Sequence, residues 1–270
     1  MRPLLKWAGG KRNLIQRIVG LFPSDYRERS YHEPFLGGGA MFFSLEPGAG
    51  TINDINPRLM NFYRVVRDSP RALIEMASEY SYGEDEYYMR RERFNIPGIP
   101  DVECAALLLY LNKTAYNGLY RVNSKGEFNV PFGRYKDPTI VIPRNIMRAS
   151  RFLKNIEIHC EGFEYLVNVA REGDLCYLDP PYHPASKTAN FTDYSVDGFN
   201  LRDQERLRDL CLELDGRGVG FVLSNSDTGA ILDLYSEGSF EIYSVNTQRM
   251  ISSKVSSRDE GRDLLITNIN

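Results

Sequence analysis

The stretch Asp179-Pro180-Pro181-Tyr182 groups residue types that could act on an amino group. It follows the apolar run Leu175 to Leu178, and two consecutive prolines remove two backbone donors, so a strand here ends at Asp179. Asp179 offers a carboxylate acceptor. Pro180 offers a main-chain carbonyl with no neighbouring N–H to compete, and Tyr182 a flat ring for stacking. That set suits the exocyclic amine of a planar base, which is a poor nucleophile because its lone pair is delocalised into the ring. Acceptors on its two hydrogens favour the pyramidal form and the positive charge that develops during attack. Tyr182 would hold a base swung out of its stack. The plain alternative is a proline turn in which Asp179 caps backbone amides.

Two further clusters point to a nucleoside. In Glu33-Pro34-Phe35-Leu36-Gly37-Gly38-Gly39, glycines stand where a strand turns into a helix, so a ligand can approach the backbone closely. The spacing is neither the dinucleotide fingerprint nor a Walker-type loop. Asp54 comes 17 residues after Gly37, at the end of the next expected strand, where an acid can accept both hydroxyls of a ribose. In LKWAGGKR (5–12), Lys6 flanks the sole tryptophan, Trp7, and Lys11 follows two glycines. Trp7 could pack on the core or contact an aromatic or sulfonium group, with Lys11 facing a carboxylate.

The elements that must position these groups alternate between strand and helix. YHE before the glycines, GTINDIN (50–56), IEIHCEGF (156–163) and LCYLD (175–179) read as strands. A helix of about a dozen residues is expected after 163. GVGFVLSNSD, FEIYSVN and DLLITNI read as three more strands, and a helix over 200–218 has Asn200 as N-cap and Leu207, Leu210, Cys211 and Leu214 on one face. The class expected is α/β, a doubly wound, Rossmann-like sheet. Residues 57–145 lose that rhythm and read as an inserted, mainly helical domain, including the helix VECAALLLYLNK (102–113). Within it VNSKGEFNV forms a basic hairpin turning near Gly126. Residues 1–56 and 146–270 then form the catalytic domain.

Composition narrows the function. Net charge is −3, yet residues 121–154 carry eight Lys/Arg against two acids, and residues 1–29 seven against two. This asymmetry offers a cationic face to a polyanion. Four scattered cysteines, none in a C-x-x-C pair, argue against a metal site and a disulfide framework, and three histidines are placed with no visible nucleophile. No apolar run is long enough to span a membrane and the first residues do not read as a secretory signal, so a cytoplasmic location is expected.

LKWAGGK, EPFLGGG, NDIN, NGLYRVNSKGEFNVPFGRY, DPPY, TANFTDY and RMISSKVSS follow one another from about residue 4 to 267. In content and order they resemble the Dam-type DNA adenine-N6 methyltransferases of the α group, with cofactor motif first, target-recognition region next and catalytic motif last. The resemblance implies S-adenosylmethionine as methyl donor and adenine in double-stranded DNA, within GATC, as acceptor. It implies cofactor contacts at Trp7, Lys11, Glu33, Phe35, Gly37, Gly39, Asp54 and Asp179, and catalysis by Asp179, Pro180, Pro181 and Tyr182. DNA contacts are implied at Lys6, Asn117, Arg121, Val122, Asn123, Ser124, Lys125 and Arg134. The sequence departs from the best-known enterobacterial pattern at Val122, where an aromatic is found there, and at Lys125, where an arginine reads guanine. Lysine can still donate to guanine but lacks the planar bidentate fork.

The reading is therefore a site-specific adenine methyltransferase that needs no metal and can work as a monomer. Rival readings are cytosine-N4 or RNA-adenine methylation, which share the amine chemistry, and a DNA-binding relative that has lost catalysis. The basic hairpin favours DNA adenine, and intact Asp54, Asp179 and Tyr182 argue against an inactive protein. Residues 248–262 are expected to form an exposed polar loop; Arg249, Lys254 and the neighbouring serines could touch phosphates or close over the site, although exposed polar loops usually do neither.

Overall fold

The computed structural model describes residues 1–9, 14–182, 199–236, 240–248 and 260–269. Among these residues there are seven strands, β1 (Tyr31–Glu33), β2 (Gly50–Ile52), β3 (Ile156–Ile158), β4 (Leu175–Leu178), β5 (Gly220–Ser226), β6 (Glu241–Gln248) and β7 (Glu260–Thr267). They form one sheet in the order β3-β2-β1-β4-β5-β7-β6. Pairing is parallel for β1 with β4, β2 with β3 and β4 with β5, whereas β7 runs antiparallel to both β5 and β6. This is the expected mixed α/β class, built on short buried parallel strands. The chain divides into two compact units, Met1–Gly10 with Leu36–Gly162 and Lys11–Phe35 with Phe163–Asn270.

The first unit is mostly helical. It contains α2 (Phe42–Leu45), α3 (Pro57–Asp68), α4 (Pro70–Ser78), α5 (Glu84–Asn95), α6 (Asp101–Thr114) and α7 (Pro143–Leu153), besides β2 and β3. Helix α6 is the expected apolar segment, with all but Asp101, Val102, Glu103 and Lys113 buried. A helix apolar all round must be enclosed, and α3, α4 and α5 pack against α6. After α6 the chain runs through the hairpin, which is pinned by single bridges, Ala115 to Phe132 and Val122 to Phe128, rather than by continuous strands. Its turn falls at Gly126 as expected, with φ +76° and Gly126 N–H donating to Asn123 O at 2.9 Å.

The second unit holds β1, β4, β5, β6 and β7 with α1 (Ile15–Leu21), α8 (Leu166–Val169), α9 (Leu201–Gly216) and α10 (Gly229–Tyr235). Cys176 and Leu178 of β4 and Phe221 and Leu223 of β5 form one core with the apolar face of α9, Leu207, Leu210, Cys211 and Leu214. Asn200 caps α9 as expected, and Asp203 completes a capping box. The helix expected after residue 163 is much shorter. Only α8 follows a single 3-10 turn, because Gly173 takes φ +84° and Asp174 accepts from Arg171 N–H at 2.8 Å, turning the chain into β4. Helices α1 and α10 match no expected element; each has seven residues, too few for periodicity to declare itself.

Cys104, Cys176 and Cys211 are buried and Cys160 partly so, and all four are free thiols. Among the described residues no cluster could hold a metal ion, and no helix is long and apolar enough to cross a membrane.

Candidate functional site

In the first unit the glycine turn is tied to the acid beyond β2. Leu36 N–H donates to Asn53 O, and Gly37 N–H donates to Asp54 Oδ2, both at 2.9 Å. Asp54 Oδ1 accepts from Asn56 N–H at 2.9 Å. Burial raises the Asp54 carboxyl above its ordinary range, against the lowering effect of these two amides. Gly37 has φ +50°, and a Cβ there would lie 2.8 Å from Trp7 Cδ1. A side chain at position 37 would therefore meet both strain and the indole. Gly39, at φ +68°, sits against Phe43 and begins the turn into α2.

Trp7 stacks on Tyr120, with ring centroids 5.2 Å apart and planes 22° from parallel, so it forms an aromatic wall against the turn. Half-buried Trp7 thus combines both readings of the sequence, packing on its own unit while bordering the glycines. Lys11 lies outside the described residues.

In the second unit β4 delivers Asp179 just beyond its last residue, and Pro180 is buried. Ser224 Oγ donates to Asp179 Oδ1 at 2.8 Å. Because a hydroxyl has one proton, Ser224 must accept from the Tyr177 O–H, 2.9 Å away. A two-step relay therefore orients the carboxylate from behind. Tyr182 O–H donates to Asp263 Oδ2 at 3.3 Å. Burial first, then the charges of Asp179 and Asp263, push the Tyr182 phenol well above its ordinary range, so it stays protonated and remains a donor.

The Pro-Pro turn has its own brace. Gln204 of α9 donates from Nε2 to Pro181 O at 3.1 Å, and its Oε1 accepts from Asn225 Nδ2 at 2.9 Å. The same unit places Glu33 at the end of β1, buried, where it accepts from Tyr31 O–H at 2.6 Å. Phe35 packs between Phe163 and Phe199, at 5.4 and 5.9 Å. Tyr177, Ser224, Gln204, Asn225 and Asp263 were not anticipated as site residues. For Ser224 and Asn225 the signal was polar residues ending an apolar strand in GFVLSNSD, and for Gln204 a glutamine near the start of an amphipathic helix; Tyr177 and Asp263 stood only as polar-tipped positions in the strands LCYLD and DLLITNI.

Apart from Arg249 and Lys254, the residues expected to meet DNA belong to the first unit and divide by engagement. Asn123 braces the turn: its Oδ1 accepts from Lys125 N–H at 2.9 Å and Glu127 N–H at 3.0 Å, and its Nδ2 donates to Glu127 Oε2 at 2.8 Å. Arg121 donates to Asn129 Oδ1 at 2.8 Å, Val122 sits in the bridge to Phe128, and Arg134 pairs with Glu84. Asn117, at φ +53°, is exposed, as are Ser124 and Lys125 at the hairpin tip. Lys6 is exposed and lies over the Tyr135 ring at 4.6 Å, while Asn112 pairs with both its backbone N–H and C=O. The expected loop at 248–262 lies, apart from its ends in β6 and β7, outside the described residues, as does His183.

The family model for D12 class N6 adenine-specific DNA methyltransferases matches residues 7–251. A type II methyltransferase of Lactococcus lactis subsp. cremoris is 42% identical over 275 residues, covering 99% of this chain and 95% of its own. A type II methyltransferase of Methanocaldococcus jannaschii is 41% identical over 287 residues, covering 99% of each chain. The DNA adenine methylase of Escherichia coli K12 is 35% identical over 268 residues, covering 98% of this chain and 94% of its own.

Proposed function

Because this chain belongs to the D12 class of N6 adenine-specific DNA methyltransferases, we propose that it takes its methyl group from S-adenosylmethionine and places it on adenine N6 within GATC in duplex DNA. The observation that carries the chemical assignment is the Asp179 carboxylate, oriented by Ser224 at the mouth of a double-proline turn.

The donor set of the first unit fits S-adenosylmethionine. Each Asp54 oxygen accepts one backbone amide and keeps a second lone pair for a ribose hydroxyl. The left-handed Gly37 lets the Trp7 indole lie directly against the turn, where it forms an aromatic border. We assign Trp7, Gly37, Gly39 and Asp54 to donor binding; for Glu33, Phe35 and Asp179 that role rests on the resemblance alone. When bound, this donor supplies an electrophilic sulfonium methyl.

Asp179 and the Pro180 carbonyl accept the two hydrogens of the adenine amine, which localises its lone pair on nitrogen. The carboxylate also stabilises the positive charge that builds up there. Tyr182 stacks on the flipped base, its ring steadied through Asp263. Ser124 and Lys125 enter the major groove, Lys125 donating to guanine, while Lys6 meets the first base pair and Arg121 the backbone. The GATC assignment rests on this hairpin and its likeness to Dam-type proteins.

The test is to incubate unmethylated DNA with protein and S-adenosylmethionine, then read modified base and site by sequencing. N6-methyladenine in GATC supports the proposal. N6-methyladenine at another site would overturn the GATC assignment alone, and N4-methylcytosine would overturn the acceptor. Calorimetric titration with S-adenosylmethionine tests the donor separately.

A further inference from the structure

Behind the Pro180-Pro181 turn lies a polar chain that none of the steps above uses. Gln204 is 0% exposed, and so is Asn225. A buried amide is tolerated only when its donor and acceptor ends are both satisfied. Here Nε2 donates to Pro181 O at 3.1 Å, and Oε1 accepts from Asn225 Nδ2 at 2.9 Å. Asn225 Oδ1 in turn accepts from Ser226 N–H at 2.9 Å, which fixes the sense of the whole chain.

Pro181 O needs a donor, Asn225 Nδ2 needs an acceptor, and a primary amide supplies both without charge. The turn cannot brace itself, since β4 ends at Leu178 and neither proline has an N–H. Among the described residues Gln204 is the only donor to the Pro181 carbonyl. Helix α9, by contrast, does not depend on Gln204 for its attachment: Leu207, Leu210, Cys211 and Leu214 already bury its apolar face. The hydrogen bond is therefore placed to hold the turn rather than to dock the helix.

We propose that Gln204 is a positioning residue for methyl transfer. By holding the Pro181 carbonyl it fixes the main-chain path on which the Asp179 carboxylate and the Pro180 carbonyl present their acceptors. This rests on the assignment of the adenine amine to those two groups. Transfer between a positioned amine and a methyl donor is sensitive to small displacements, so loss of the brace should lower turnover without weakening ground-state binding.

Gln204→Met keeps the volume and removes both hydrogen bonds. It is expected to lower kcat about tenfold or more, with the KM for duplex and the calorimetric Kd for S-adenosylmethionine changed less than about twofold. Gln204→Glu supplies the decisive second readout. A neutral carboxylic acid reproduces the donor and acceptor of the amide, whereas an ionised one turns an acceptor toward Pro181 O. The ratio of its kcat to that of the parent should therefore rise as pH falls, with the melting midpoint above the assay temperature throughout. The proposal is overturned if the Met variant turns over within about twofold of the parent, if donor affinity falls in step with kcat, or if the Glu variant follows the parent's pH profile. Should the Met variant not fold, the Glu profile decides alone. Asp179→Ala, run in parallel, separates the two levels: full turnover there sinks the amine assignment itself, whereas an inactive Asp179→Ala beside a fully active Gln204→Met sinks only the role of Gln204.

Discussion

Two aspartates follow strand ends, one in each unit, and they are held by different means. Asp54, beyond β2, is fixed by main-chain amides of Gly37 and Asn56. Asp179, beyond β4, is fixed by the side chain of Ser224, itself backed by Tyr177. A backbone clasp makes the acid part of the loop that it stabilises, so carboxylate and glycine turn stand or fall together. A side-chain relay leaves the acid separable from the strand that carries it. The first arrangement suits holding a ligand, and the second suits orienting an acceptor toward a reacting atom.

The sharpest way to break this contrast is at Asp179. Asp179→Ala should lower methyl incorporation into duplex DNA by about 100- to 1,000-fold, the scale of losing one preorganised electrostatic group, while the protein stays folded. A smaller effect of a different kind is expected at Gly37. Gly37→Ala places a Cβ 2.8 Å from Trp7 Cδ1 at φ +50°. Strain of about 1–3 kcal/mol should then appear as a roughly tenfold weaker donor Kd by calorimetry, with kcat at saturating donor nearly retained. Loss of kcat with intact affinity would show that the glycine turn serves chemistry rather than binding. The mildest change lies at the hairpin. Asn123→Ala removes the side-chain acceptor for Lys125 N–H and Glu127 N–H and should loosen the turn by about 1 kcal/mol. Fluorescence anisotropy should report several-fold weaker duplex binding, with donor affinity unchanged.

Local signals were legible in the sequence because their causes are local. The double proline ends β4 wherever it stands, Asn200 caps α9 through its own next turn, and the apolar α6 had to be enclosed. The strand, glycine turn and acid of the first unit could be read for the same reason. The braces of the second unit could not. Gln204 reaches Pro181 across 23 residues, Ser224 reaches Asp179 across 45, and Asp263 meets Tyr182 across 81. In sequence these are a polar residue on an amphipathic helix and polar positions on apolar strands, and only the register of the sheet gives them partners. Asn123 shows the reverse case. The resemblance put it among the DNA contacts, and its side-chain bonds to Lys125 and Glu127, which shape the turn, carried no signal of their own in the sequence.

Asn112 gives the segment before the glycines an unusual anchor. Its amide accepts from Lys6 N–H at 2.8 Å and donates to Lys6 O at 2.7 Å, with a further bond to Gly118 O at 3.2 Å. One side chain of α6 thereby does for Lys6 what a neighbouring strand does in a sheet. The Lys6 amide proton, in a stretch without regular structure and on a residue open to solvent, should then exchange with deuterium as slowly as the interior of α6. Its exchange rate would report the opening of that buried helix from a position far away in sequence, and Asn112→Leu, which removes the acceptor for the Lys6 amide, should make it fast.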